Sequence, residues 1–166
     1  MTPPSDFLQA YSRFLAPIRA KCRRLLGRTA AADDVAQEAF VRLWQSGPRL
    51  DGKTETRTIM AWLYLTSTRL AIDVLRERRH PTIDLDDVEP LSCSSAPDDV
   101  VGARKTVLAL FNRVPPDEIE AVLLARVDGL SQPEVADVLG VSERTVRRLL
   151  ERFDERSAAL KKELTS

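Results

Sequence analysis

The sequence predicts an all-α protein of two small helical domains, and three observations predict it. Apolar residues recur at helical spacing through three segments before residue 80 and again after residue 100, with no alternating strand pattern above noise. Charged residues make up 30% of the chain and glycine is scarce, a composition typical of helical proteins. Between the two helical stretches lie residues 81–101, with six acids, no base and too little apolar surface to build a core. The expected organisation is therefore a domain over 1–80, a flexible acidic linker over 81–101, and a second domain over 102–166 that contains a helix-turn-helix.

The first helix is expected from about Ser5 to Leu26, with Phe7, Leu8, Tyr11, Phe14, Leu15, Ile18, Cys22, Leu25 and Leu26 on its buried side. Pro17 lacks an N–H and crowds the preceding turn, so it is expected to kink this run or divide it in two. Gly27 ends it. A second helix, about Ala31 to Gln45, sets Val35, Ala36, Ala39, Phe40, Leu43 and Trp44 at helical spacing, with Asp33 and Asp34 at its electropositive N-terminus. Two glycines and a proline mark Ser46 to Thr56 as a loop. A long third helix follows from about Thr58 to Arg79, and His80, the only histidine, marks its end.

The second domain is expected to open with a helix from near Val100 to near Arg113. Pro115 and Pro116 start another, about Asp117 to Val127, and Gly129 separates it from the segment Leu130 to Leu150. There Ser131 and Glu134 have the spacing of a capping box, and Pro133 falls in the first turn, where its missing N–H costs nothing. Val135, Ala136, Val138 and Leu139 supply a buried face, and Gly140 stands where a left-handed residue ends the helix. Val141 is expected to be an apolar plug. Ser142 then caps a second helix whose inner face is Val146, Leu149 and Leu150. Glu143, Arg144, Thr145, Arg147, Arg148 and Arg152 are left for the outer surface. Guanidinium groups projecting from the second helix of such a motif are what major-groove and phosphate contacts need.

The formal net charge is zero, which at first sight argues against a nucleic-acid partner. The distribution of charge points the other way. Residues 1–80 carry 14 Lys/Arg against 8 Asp/Glu, whereas residues 102–166 balance at 11 and 11 with the bases crowded toward Arg144–Arg156. Cys22 and Cys93 are far apart and have no histidine cluster, which excludes a zinc finger or a disulfide framework and fits a reducing cytoplasm. No apolar run reaches 18 residues and the N-terminus lacks a signal pattern, so a cytoplasmic protein without a membrane span is expected. No Gly-rich phosphate loop, Cys/His pair or metal cluster supports an active site, so neither catalysis nor a cofactor is expected.

Three segments in register resemble the extracytoplasmic-function sigma factors, the small two-domain members of the bacterial sigma-70 class. DDVAQEAFVRLWQ (Asp33 to Gln45) is similar to the family's core-polymerase-binding helix, and AWLYLTSTRLAIDVLRERR (Ala61 to Arg79) to its promoter-facing helix. VPPDEIEAVLLARVDGLSQPEVADVLGVSERTVRRLLERFDE resembles its second domain. The chain departs from the family at Arg49 to Thr56, where an Arg-Phe-Arg-Gly pattern is usual. It departs again at Leu149, a position usually basic, which implies a shifted or smaller set of DNA contacts.

The resemblance implies a protein that lends promoter specificity to RNA polymerase and does no covalent chemistry. It implies that Asp33, Asp34, Gln37, Glu38 and Arg42 dock on the clamp coiled coil of the polymerase's largest subunit. The plain reading of those acids, stabilisation of a helix N-terminus, stands beside it. Arg69, Arg76, Arg78 and Arg79 would lie along promoter duplex. The 46–56 loop, with Trp44 or Trp62 nearby, would hold an extruded base, although simple core packing is the favoured account of both tryptophans. Ser142, Glu143, Arg144, Thr145, Arg147, Arg148 and Arg152 would contact the upstream promoter element, with Arg156 nearer phosphates or solvent. Control by an anti-sigma factor is expected, because surfaces around Phe40, Leu43 and Val146 are expected to be only partly covered. Two alternatives stay open: a regulator that uses only its helix-turn-helix, and an enzyme acting on nucleic acid.

Overall fold

In the computed structural model, residues 5–77, 110 and 113–166 are described, the side chain of residue 164 excepted. Their regular structure is helical, with no strand among them, and the chain divides into two compact units, Met1–Val74 and Leu75–Ser166. Within the N-terminal unit, helix α1 (Ser5–Leu26) and helix α2 (Ala30–Ser46) form an antiparallel hairpin. Their sense is set by the pairs they make: Phe7 meets Trp44 and Tyr11 meets Phe40, while Arg23 at the other end reaches Asp33. The turn between them is residues 27–29. Thr29 caps α2 by accepting from the Ala32 N–H at 3.4 Å.

Ala10, Phe14, Ile18, Cys22, Leu25 and Leu26 form the buried stripe of α1. Opposite them α2 buries Val35, Phe40 and Leu43 together with Ala32, Ala36 and Ala39, whose small side chains let the two backbones approach. Helix α3 (Thr56–Glu77) adds Ile59, Leu63, Leu70, Ala71 and Ile72 to the core. Its buried Ser67 and Thr68 donate their hydroxyls back to the Leu63 and Tyr64 carbonyls at 2.7 and 2.8 Å, so neither is left unpaired. Lys21 is fully buried, its Nζ 5.1 Å from the centre of the Tyr64 ring on α3.

Three expectations change here. Helix α1 runs unbroken through Pro17, so the proline does not divide it. Its ring is exposed, and the core contacts on either side hold the helix together. Leu8 is 49% exposed rather than buried. Phe40 and Leu43 are buried outright, and among the described residues of this unit the exposed large apolar side chains are Leu8, Val41 (45%) and Trp44 (38%).

The C-terminal unit contains helix α4 (Pro116–Val122), extended by a wide π-helical turn over Leu123–Val127, then α5 (Gln132–Leu139) and α6 (Glu143–Thr165). The π turn shows in the bond from the Asp128 N–H to the Leu123 carbonyl five residues back, at 3.0 Å. Both halves of the capping box form: Ser131 Oγ accepts from the Glu134 N–H, and Glu134 Oε2 accepts from the Ser131 N–H at 2.7 Å. Gly140 adopts the left-handed conformation at φ 67°, ψ 34°, which a side chain would disfavour. Val135, Val146 and Leu149 share a small core with Ile119 and Leu124, so Val146 too is fully covered. Val138 and Leu139 are only half-buried. Val141 is 39% exposed, not a plug, because its N–H returns to the Ala136 carbonyl and the turn itself lies at the surface. The linker 81–101, Cys93, His80, and most of the helix expected over 100–113 lie outside the described residues.

Candidate functional site

Two surfaces, on α2 and on α6, carry most of the residues singled out from the sequence, and Trp62, Arg69 and Arg76 lie on α3. On α2 the acids and bases divide into those engaged within the unit and those left outward. Asp33 turns back to α1, its Oδ1 3.5 Å from Arg19 Nε and 3.3 Å from Arg23 Nη2. Glu38 and Arg42, four residues apart, pair along the helix at 3.0 Å. Asp34 and Gln37 are exposed. Positions 34, 37, 38, 41 and 45 fall on one helical stripe, so the polar residues stand beside the exposed Val41, with Trp44 at its edge. Trp44 is held by an edge contact to Phe7 with ring centres 5.1 Å apart, whereas Trp62 is half-buried on α3.

The loop after α2 is knotted on Asp51, which no sequence motif marked. Its Oδ1 accepts from the backbone N–H groups of Lys53 and Thr54 at 3.0 and 3.1 Å, and Thr54 Oγ1 donates to the Arg49 carbonyl at 2.6 Å. Those amides, Lys53's foremost, hold the Asp51 carboxyl below its ordinary pKa. On α3, Arg69 is exposed and Arg76 half-buried in the last turn. Arg78 and Arg79 lie outside the described residues.

The second surface is the outer face of α6. Ser142 Oγ accepts from the Thr145 N–H at 3.1 Å and lies 2.9 Å from its hydroxyl, so both residues build the helix start. Glu143, Arg144, Arg147, Arg148, Glu151 and Arg152 are all exposed, and none of them makes an ion pair among the described residues. The inner side of the same helix is tied down. Arg126 of the π turn grips Asp154 with two hydrogen bonds of 2.7 and 2.9 Å and lies 5.9 Å from the Phe153 ring centre. That contact raises the Arg126 pKa and lowers that of Asp154. Arg156 Nε lies 3.1 Å from Oε2 of Glu118, whose side chain is 2% exposed. Arg156 therefore belongs to the fold of this unit and not to the outer face. Farther along, Arg113 pairs with Glu163 at 2.7 Å. No group of His, Cys, Asp and Glu suited to a metal ion occurs among the described residues.

Comparison with known proteins follows this layout. Residues 10–80 match the family model Sigma-70 region 2, and residues 104–152 match Sigma-70, region 4. The ECF RNA polymerase sigma factor SigW of Bacillus subtilis is 30% identical over 157 residues, covering 86% of this chain and 80% of SigW. The chain belongs to the ECF RNA polymerase sigma factors. SigJ of Mycobacterium tuberculosis, another of them, is 35% identical over 144 residues, 78% of this chain but only 43% of SigJ's own length. Among solved structures, CnrH in complex with the cytosolic domain of CnrY matches with a TM-score of 0.56 at 25% identity, over 95% of this chain and 88% of that one. In this sigma factor, α2 lies inside the region 2 match. The region 4 match ends at residue 152, so the part of α6 bearing Asp154, Arg156 and Glu163 runs on beyond it. Among the described residues no helix is long and apolar enough to cross a membrane.

Proposed function

We propose that this sigma factor joins the RNA polymerase core in the cytoplasm, directs it to a particular set of promoters and helps to melt them, without covalent chemistry of its own. The observation that carries the reading is the outer face of α6. Four arginines stand there, without acidic partners among the described residues, on the second helix of a helix-turn-helix. Like charges at helical spacing repel one another, and a polyanion relieves the repulsion while the guanidinium forks find phosphate and guanine acceptors. Residues 102–166 then act on the upstream promoter element and residues 1–80 on core and on the melted region, with 81–101 as the tether.

On α2, Asp34 and Gln37 are the outward polar groups that meet the polymerase, and Asp33, Glu38 and Arg42 set the surface around them. Arg69 and Arg76, with Arg78 and Arg79 beyond the described part of α3, run along duplex phosphates. Trp44, exposed beside the loop knotted on Asp51, is better placed than Trp62 to meet an unstacked base. The exposed Leu8, Val41 and Trp44 also suit a restraining protein, an anti-sigma factor. The likeness to CnrH, solved with a protein partner, supports that reading. Gel filtration of the purified chain with bacterial core polymerase tests the proposal. Co-elution is expected, and should weaken for a variant carrying Asp34→Arg with Gln37→Ala whose circular dichroism is unchanged. Separate elution of the unaltered chain and core would reject it.

A further inference from the structure

Glu151 lies within the arginine-bearing part of α6 and makes no ion pair among the described residues. Glu143, at the start of the same helix, is favoured by the electropositive N-terminus. Glu151 is two turns farther in, exposed, and makes no ion pair among the described residues, although Arg147 and Arg148 lie four and three residues before it. Its position puts it on the same stripe as Arg144, Arg147 and Arg148, one turn past the latter two and away from buried Val146 and Leu149. A carboxylate on a face that meets DNA is repelled by every phosphate. Its favourable partners in the major groove are the exocyclic amines of cytosine and adenine. Cytosine suits it better: the adenine amine sits beside the N7 acceptor, which repels a carboxylate, and the cytosine edge has no such neighbour.

Resting on the reading of α6 as the promoter-facing helix, we propose that Glu151 is a specificity-determining residue that accepts a hydrogen bond from the N4 amine of one cytosine in the upstream element. Arg144, Arg147 and Arg148 hold the helix in the groove, and Glu151 converts part of that attraction into discrimination. Guanine offers the carboxylate two acceptors at the same place and thymine an acceptor and a methyl group, so both are excluded by repulsion as well as by a missing bond.

Holoenzyme reconstituted from core polymerase and the full chain, selected on promoters randomised across the upstream element, tests this. The unaltered protein should prefer cytosine at one position by about tenfold. Glu151→Gln should move that preference to adenine, since a carboxamide pairs with the N6 and N7 edge, and Glu151→Ala should abolish it while other positions keep theirs. A preference for adenine in the unaltered protein would assign the amine to the other base and overturn the cytosine assignment. Uniformly tighter binding by both variants, with preferences unchanged, would overturn the proposal and leave Glu151 as a source of repulsion alone. Unchanged affinity and preference in both would overturn it as well. Failure of the unaltered chain to form a holoenzyme strikes the underlying reading instead, and gel filtration shows that separately.

Discussion

At the scale of single residues, the arginines of α6 fall into two kinds that look alike in sequence. Arg147 and Arg148 are exposed and without acidic partners among the described residues, so replacing either with Ala should leave folding intact and cost about 1–3 kcal/mol of promoter binding. A binding series across promoter variants checks this, with preference relaxed at one or two positions. Arg156 answers a buried carboxylate. Arg156→Ala strands Glu118 away from water, where Oε2 already lacks a well-aligned hydrogen bond, and should cost about 2–3 kcal/mol of stability. Denaturant unfolding reads that loss directly. Asp154 adds a pH dependence. Its folded pKa is lowered by Arg126, so its contribution is full above the ordinary aspartate range and disappears as pH falls through the folded value. The pair is half-exposed, so Asp154→Asn should cost no more than about 1 kcal/mol at neutral pH. Melting curves of the two proteins should converge below about pH 4.

At the scale of elements, the helix-turn-helix was legible in the sequence because every instruction for it is local. Ser131 and Glu134 are three residues apart, Gly140 follows α5 directly, and Ser142 precedes α6. Each cap adds a definite increment. Ser131→Ala removes the acceptor for the Glu134 N–H and should lower stability by about 1 kcal/mol, checked by thermal unfolding. What holds α6 to its neighbours was not legible. Arg126 and Asp154 are 28 residues apart and Arg113 and Glu163 are 50, so no periodicity links them. The π turn, which carries Arg126, leaves no mark that distinguishes it from ordinary helix. Proline misled in α1 because its local cost is outweighed by the core contacts on both sides of it, from Phe14 to Leu26. Val141 misled because being apolar in a tight turn does not decide which way a side chain faces.

At the scale of the whole molecule, charge explains what composition hides. Residues 1–80 carry an excess of bases and arginines crowd the outer face of α6, while 81–101 is acidic, so a neutral total conceals two stretches suited to a polyanion. Binding to promoter DNA should accordingly weaken steeply as salt rises, with Arg152→Ala reducing the slope by about one. The candidate site follows the same division as the fold. The face of α6 was readable because buried and exposed positions alternate at helical spacing. On α2 the engagement of Asp33 with Arg19 and Arg23 depends on how two helices pack, which spacing within one helix does not encode.

That this chain confers promoter choice on polymerase is tested most directly by transcript mapping. Core polymerase with and without the purified chain is incubated with fragmented bacterial DNA, and the 5′ ends of the transcripts are sequenced. A set of start sites should be present only when the chain is added and should share one upstream sequence, and that set should be lost for a variant carrying Arg147→Ala and Arg148→Ala. Start sites identical with and without the chain would contradict promoter choice by this protein.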